Sequence, residues 1–364
     1  MSDRIYDLWL SQLNGVGYMK FNALVGAFGD AESVFNTTSV EYLREVGIGD
    51  KAVHTILHNH DLTIAENLLA RLTKLSVKVY TQNDDEYPEP LKHTPYPPSI
   101  LYVLGEMPNN TLTKISVIGT RSCSQYGVKI TSDICKGLAQ SGVVIVSGMA
   151  RGIDSVAHDA AISEGGLTIA VMGCGIDICY PKGAERLRER IISHGCVISE
   201  YPPGVFPQRG LFPERNRIIA GLSHATLVTE AALNSGTMIT VASALDCGRD
   251  VMAVPGNITS PLSAGANELI KQGAQLVTSY EDILHTLKLT GRRSILSAST
   301  SSDQVIDLAP EEKLVYDMLD FVPIHLDEII EKTLSDAQTV HYIMTMLELK
   351  GVAQRMSGQR YVKI

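Results

Sequence analysis

The residue types best suited to hold an anion crowd into one window, Phe212 to Leu222, which reads Phe-Pro-Glu-Arg-Asn-Arg-Ile-Ile-Ala-Gly-Leu. Pro213 fits the first turn of a helix, where its missing N–H would have had no partner, and Arg215, Asn216 and Arg217 follow in that turn. A helix start already attracts anions through its N–H groups and dipole, so guanidiniums there point to phosphate rather than to carbohydrate or metal. The competing reading puts Arg215 and Arg217 on a solvated face, or pairs them with Glu214 and Glu200.

Glycine-rich stretches elsewhere add to this chemistry. They are Gly119-Thr120-Arg121, then Ser147-Gly148-Met149-Ala150-Arg151-Gly152-Ile153-Asp154, then Gly173-Cys174-Gly175, and finally Ser235-Gly236-Thr237 opening a helix after Glu230. Glycine lets a backbone approach a phosphate closely, hydroxyls donate hydrogen bonds, and Arg121 and Arg151 bring fork-shaped cations. Each loop alone reads equally well as a tight turn without a ligand. Gathered at one sheet edge, they read as a site for several phosphates.

Known nucleotide and hydrolase fingerprints are missing. Gly173-Cys174-Gly175 lacks the third glycine of the dinucleotide motif, and neither G-x-x-x-x-G-K-[ST] nor G-x-S-x-G occurs. Asp154 and His158 have no evident nucleophile, so they read as packing groups, with Asp154 as a helix N-cap. No catalytic residue, cofactor or metal ligand is assigned.

These loops need a scaffold, and the pattern around them supplies one. Apolar strands are predicted at Ser116–Ile118, Val143–Val146, Leu167–Val171, Val197–Ile198, Thr226–Val228 and Val251–Val254, with helices at Tyr126–Gln140, Ile153–Ser163, Ala184–Ser193 and Thr237–Cys247. Continuous apolar strands alternating with helices predict an α/β fold with a doubly wound, mostly parallel sheet, whose ligands bind outside the carboxyl ends of the strands. Residues 1–75 look helical, with two apolar-Gly turns, Gly15-Val16-Gly17 and Gly47-Ile48-Gly49, that resemble helix-hairpin-helix units; a strand is predicted at Val77–Thr81 and an irregular Pro-rich connection at Tyr87–Pro98. After a closing helix at Tyr280–Leu287, residues 290–306 form a Ser/Thr-rich linker. Residues 307–364 carry three helical patterns and two short strands around Gly358, which resembles a winged helix. Its third helical pattern, Asp336–Lys350, offers only Lys350 as a cation, so Arg355, Arg360 and Lys363 of the wing are its expected contact surface, with partner binding as the competitor.

With 364 residues, 45% of them hydrophobic, the chain can bury a large core. It contains no long apolar run and no basic-then-apolar leader, which predicts a cytoplasmic protein that does not span a membrane. Six cysteines form no C-x-x-C pair, which argues against structural zinc. The net charge of −9 hides an uneven distribution. Gly119–Arg217 holds 11 Lys and Arg against 9 Asp and Glu (11 − 9 = +2), and the remainder 20 against 31 (20 − 31 = −11). Residues 1–75, with 6 basic and 9 acidic residues, favour a structural or partner-binding role.

The motifs occur in one order: Gly119-Thr120-Arg121, Ser147-Gly148 to Ala157-His158, Tyr180-Pro181, Ser199-Glu200-Tyr201-Pro202-Pro203-Gly204, Phe212 to Leu222, Ser235-Gly236-Thr237, and Gly248-Arg249-Asp250 to Val254-Pro255-Gly256. This string, spanning about residues 80–288, resembles the DprA or Smf family of DNA-processing proteins, whose flanking modules are sterile-alpha-motif-like and winged-helix domains. The resemblance implies an extended Rossmann-like domain that binds single-stranded DNA without being an enzyme, forms a homodimer, and loads RecA recombinase in natural transformation, with single-strand-binding protein as a further partner. It also implies a DNA groove formed by Arg121, Arg209, Phe212, Arg215 and Arg217, to which the loops add Ser147, Gly148, Arg151, Ser235, Gly236 and Thr237, with Asn216 beside them. Reversing the charge of Arg121 or Arg215 is expected to weaken binding and spare the fold. The competing readings are a phosphoribohydrolase-like nucleotide enzyme using Glu200 and Glu230, and a nucleotide-sensing regulatory adaptor.

Overall fold

The computed structural model describes residues 4–289, 308–320, 323–333 and 335–363. The chain divides into two compact units, a large one carrying a long sheet and a small one made of the C-terminal residues together with Cys123–Ile130. The predicted linker at 290–306 lies outside the described residues.

Six helices open the large unit: α1 (Ile5–Gln12), α2 (Tyr18–Phe28), α3 (Ala31–Phe35), α4 (Val40–Glu45), α5 (Asp50–His58) and α6 (Thr63–Lys74). The two apolar-Gly turns lie where the sequence puts them. Gly15 and Gly47 take φ of 88° and 86°, and Gly17 and Gly49 cap α2 and α5. That left-handed backbone favours glycine, because a Cβ there crowds the carbonyl.

The sheet then builds from β1 (Lys78–Thr81), α7 (Glu89–Lys92), β2 (Ile100–Gly105), β3 (Lys114–Ile118), α8 (Gln125–Gln140), β4 (Val144–Ser147), α9 (Ile153–Ser163), β5 (Thr168–Met172), α10 (Glu185–Ser193), β6 (Gly195–Ser199), α11 (Leu211–Leu222), β7 (Ala225–Val228), α12 (Thr237–Asp246), β8 (Asp250–Ala253), α13 (Ala264–Lys271), β9 (Gln275–Leu276) and α14 (Tyr280–Thr286). Nine strands run in the order β1-β2-β6-β5-β4-β3-β7-β8-β9. From β6 to β9 neighbours are parallel, while β1 and β2 attach antiparallel at one edge. Strands β3 to β7 are buried along their whole length, as parallel strands covered on both faces must be.

Alternation along the strands assigns the two layers. Leu101, Val103, Ile169, Val171, Cys196 and Ile198 share a core with Ile218 and Ile219 of α11. Their strand neighbours Ile100, Tyr102, Ala170, Met172 and Val197 pack instead with Leu8, Trp9, Phe21 and Leu72 of the N-terminal helices. The period of two thus lets α1 to α6 cover one face of the sheet.

The chain runs from β3 outward to β4, β5 and β6, then returns to place β7 on the other side of β3. This reversal opens a crevice beyond the carboxyl ends of β3 and β7, where an open α/β sheet binds ligands.

The C-terminal unit holds α15 (Pro310–Met318), β10 (Ile324–His325), α16 (Leu326–Thr333), α17 (Ala337–Leu349), β11 (Ala353–Met356) and β12 (Arg360–Lys363) around Val315, Leu326, Ile329, Val340, Ile343 and Leu347. The predicted two-stranded wing gains a third strand, in the order β10-β12-β11. Lys350 pairs with Glu312 at 2.6 Å, and Lys363 lies 3.9 Å over the Tyr316 ring. Arg355 and Arg360 remain exposed.

Helix α8 meets α14 without a spacer. A Cβ on Gly137 would stand 2.2 Å from Cδ1 of the Tyr280 ring. Gly137→Ala should therefore destabilise the large unit by about 1–3 kcal/mol despite its better helix propensity, read as a lower urea midpoint.

Candidate nucleic-acid interface

Helix α11 begins at Leu211, so Pro213 sits in the first turn as expected, while Arg215, Asn216 and Arg217 fall in the second turn rather than beside it. Successive side chains along the helix diverge by about 100° around the axis, so residues close in sequence can serve different faces. Phe212, Arg215, Asn216 and Ile219 line a cavity of about 700 Å³ at the crevice, together with Arg121 from the end of β3 and Ser235, Gly236 and Thr237 from the start of α12. Glu214 and Arg217 instead face a second cavity of about 390 Å³, beside Tyr18 and Tyr102.

Arg215 departs from the expectation of a groove-surface cation, because only 5% of it is exposed. Its Nη1 donates to Gly148 O at 2.9 Å and also to Val171 O, and its Nε donates to Asn216 Oδ1 at 3.2 Å. A Cβ on Gly148 would stand 2.6 Å from Arg215 Nη2, so glycine is required there by the guanidinium. The Asp154 carboxylate accepts from the N–H groups of Gly148 and Ala150 at 3.2 and 3.3 Å. Burial pushes the Asp154 carboxyl up, and the attraction of Arg215 and these N–H groups opposes it. Burial likewise pulls Arg215 down to about 10, against Asp154, and it stays charged at neutral pH. Asp154 therefore does not cap α9, whose N-cap is Gly152; it fixes the loop after β4.

The other expected residues separate into two groups. Arg121 and Arg209 are exposed at the cavity, and among the described residues neither has a carboxylate within salt-bridge distance. Phe212 lies 5.1 Å from Tyr180, ring to ring, and Ser235, Gly236 and Thr237 present the start of a ten-residue helix. Ser147, Gly148, Arg151 and Arg217 do not line the cavity. Ser147 is fully buried, its Oγ donating to Val117 O at 2.7 Å, and Arg151 points to solvent from the loop. Arg217 is an ion-pair partner of Glu200, donates to Tyr96 O at 2.7 Å and stacks 4.7 Å over Tyr18. The pairing alternative holds for Arg217, and it ties α11 to the N-terminal helices.

Thr120, Tyr180, Thr240 and Asp154 also line the cavity and were not assigned to it by sequence. Tyr180 and Thr120 stand inside quoted motifs; Thr120 belongs to a loop read as anion-binding through its hydroxyl, whereas type and spacing alone gave Tyr180 no role. Across the lining, three arginines, Arg121, Arg209 and Arg215, face one carboxylate, Asp154, beside two aromatic rings. Such a surface suits a phosphodiester with its base.

Residues 78–288 match the family DNA recombination-mediator protein A, and residues 299–359 match the DprA winged helix domain. The chain belongs to the DNA recombination-mediator protein A family. Among its relatives, protein Smf of Synechocystis sp. is 32% identical over 99% of this chain and 98% of its own length. DNA processing protein DprA of Streptococcus pneumoniae is 46% identical over 55% of this chain and 71% of its own. The X-ray structure of Streptococcus pneumoniae DprA superposes with a TM-score of 0.64 at 36% identity, covering 78% of this chain and 97% of that one. A structure of DNA processing protein A from Helicobacter pylori, described for its single-stranded DNA binding mode, superposes with a TM-score of 0.52 at 29% identity, covering 58% and 96%. The family's mixed α/β core and winged helix are those described above, and among the described residues no helix is long and apolar enough to cross a membrane.

Arg215→Met should cost about 3–5 kcal/mol in urea unfolding, since it strands the buried Asp154 charge and the Gly148 carbonyl. Arg121→Glu should leave the midpoint unchanged within about 0.5 kcal/mol, as an exposed side chain.

His158, fully buried with Nδ1 2.6 Å from Thr168 Oγ1, is pulled from 6.5 down to about 3, first by burial and then by Arg215. Its folded value lies below the unfolded one, so its contribution is complete above about pH 6.5. Below that the unfolded chain binds the extra proton, and stability falls by up to about 1.4 kcal/mol per pH unit towards pH 3. His158→Gln should flatten that slope by close to one proton in urea titrations at successive pH values.

Proposed function

We propose that this chain binds single-stranded DNA at the cavity between the ends of β3 and β7, as a non-enzymatic cytoplasmic mediator that loads RecA onto the strand during recombination and natural transformation. The observation that carries this reading is the pairing of Arg121 and Arg209, exposed and without carboxylate partners among the described residues, with the neighbouring rings of Phe212 and Tyr180. Cations track the backbone, and aromatic faces accept any base. Arg215 contributes from below: its buried charge raises the potential of the cavity floor, where a phosphate feels it less screened than in water. The start of α12 adds oriented N–H groups on the same side.

The competing nucleotide enzyme would need Glu200 and Glu230 at the phosphates, and Glu230 is buried and does not line the cavity. In this fold Glu200 is paired with Arg217 on the opposite face of α11. Homodimer formation and contact with single-strand-binding protein follow the family resemblance and belong to the same proposal.

Labelled oligo(dT) titrated with protein should show a salt-sensitive anisotropy shift, and mononucleotides should bind far more weakly. Arg121→Glu and Arg209→Glu should each weaken the strand by about 10- to 100-fold for all sequences and lower the salt slope by about 0.7. A strand that binds equally well to both variants refutes the assignment. RecA filament growth on strand coated with single-strand-binding protein, with and without this chain, tests the loading step.

A further inference from the structure

Phe206 is 73% exposed, more than any other aromatic ring among the described residues. Lone apolar side chains on surfaces are ordinary, so exposure alone means little. What sets this one apart is the segment that carries it. Phe206 lies between β6 and α11, three residues before Arg209 of the cavity. Chain geometry keeps its Cα within about 11 Å of that of Arg209.

The base of this segment is pinned from two sides. Val205 O accepts from Gly175 N at 2.7 Å, and Gly204 N donates to Asp177 Oδ1 at 2.8 Å. Arg71 of α6 then clamps Asp177: its Nη2 meets Asp177 Oδ2 at 2.6 Å, and its Nη1 reaches Pro203 O at 3.4 Å. Pro207 follows the ring and restricts the backbone beyond it. An exposed ring on an anchored segment stacks with little loss of conformational freedom, which is the condition for a useful platform.

We infer that Phe206 is a second base-stacking subsite, taking a nucleobase of the strand just outside the cavity, and that Arg71 and Asp177 are positioning residues for it. The inference rests on the cavity being the single-strand site. It gives the N-terminal helices a part in binding that needs no basic surface, since α6 acts through the segment rather than on the strand.

The test uses the full chain and oligo(dT) of graded length. Phe206→Ala should weaken a long oligonucleotide by about 5- to 100-fold while leaving the salt slope unchanged, because a base and not a phosphate is lost. A dinucleotide, too short to reach beyond the cavity, should bind the variant and the parent alike. Phe206→Trp should restore affinity, and its emission should be quenched on binding, easily seen beside the one native tryptophan, which is buried. Arg71→Ala should reproduce the length-dependent loss in weaker form and speed amide exchange at residues 203–206. An alanine variant within twofold of the parent on long strands, or Phe206→Trp emission that the strand leaves unchanged, overturns the subsite. If Arg121→Glu still weakens binding in that experiment, the cavity reading stands without it; if Arg121→Glu is also without effect, both fall.

Discussion

The guanidinium of Arg215 is the interaction on which the site depends. Taking a charge out of water costs several kcal/mol unless its donors are all met. Here carbonyls from the ends of two adjacent parallel strands, Gly148 beyond β4 and Val171 in β5, accept from it, and Asp154 supplies the opposite charge. The result is a rigid floor. Because Asp154 in turn holds the N–H groups of Gly148 and Ala150, the loop after β4 cannot move without uncovering either charge. The cavity is thus pre-organised by polar groups that a ligand need not touch.

This division of labour explains which parts of the site the sequence revealed. Glycine-rich loops, arginines and a Phe-Pro turn identified the strand ends and the helix start, because each residue type has few reasons to occur there other than backbone approach or anion contact. Residue type does not say which way a side chain points. Arg215 and Arg217 read alike in sequence, and helical rotation sends one inward and the other to Glu200. Arg151 in the loop after β4 and Ser147 at the end of that strand lie in the right stretch, yet one faces solvent and the other the core.

The fold was more legible than the site. Six of the parallel strands announce themselves as buried β-branched runs, since both faces of such strands must be apolar. β2 was not assigned, although Ile100 to Leu104 is as apolar as any of them, because it follows directly on a Pro-rich stretch whose irregularity masks its start. β9 has two residues, both exposed, and leaves no periodic trace. The helical character of residues 1–75 was recognisable, whereas the core these helices share with Tyr102 and Val197 arises from long-range packing that no local pattern encodes.

Helix α11 also sets a reading frame. Its first two turns serve two cavities, with Phe212, Arg215 and Asn216 on one side and Glu214 and Arg217 on the other. Gaining or losing one residue between Phe212 and Arg217 would turn everything before the change by about 100° against everything after it. The length of this stretch cannot drift: phosphate chemistry and the seating of the N-terminal helices are registered on the same six residues.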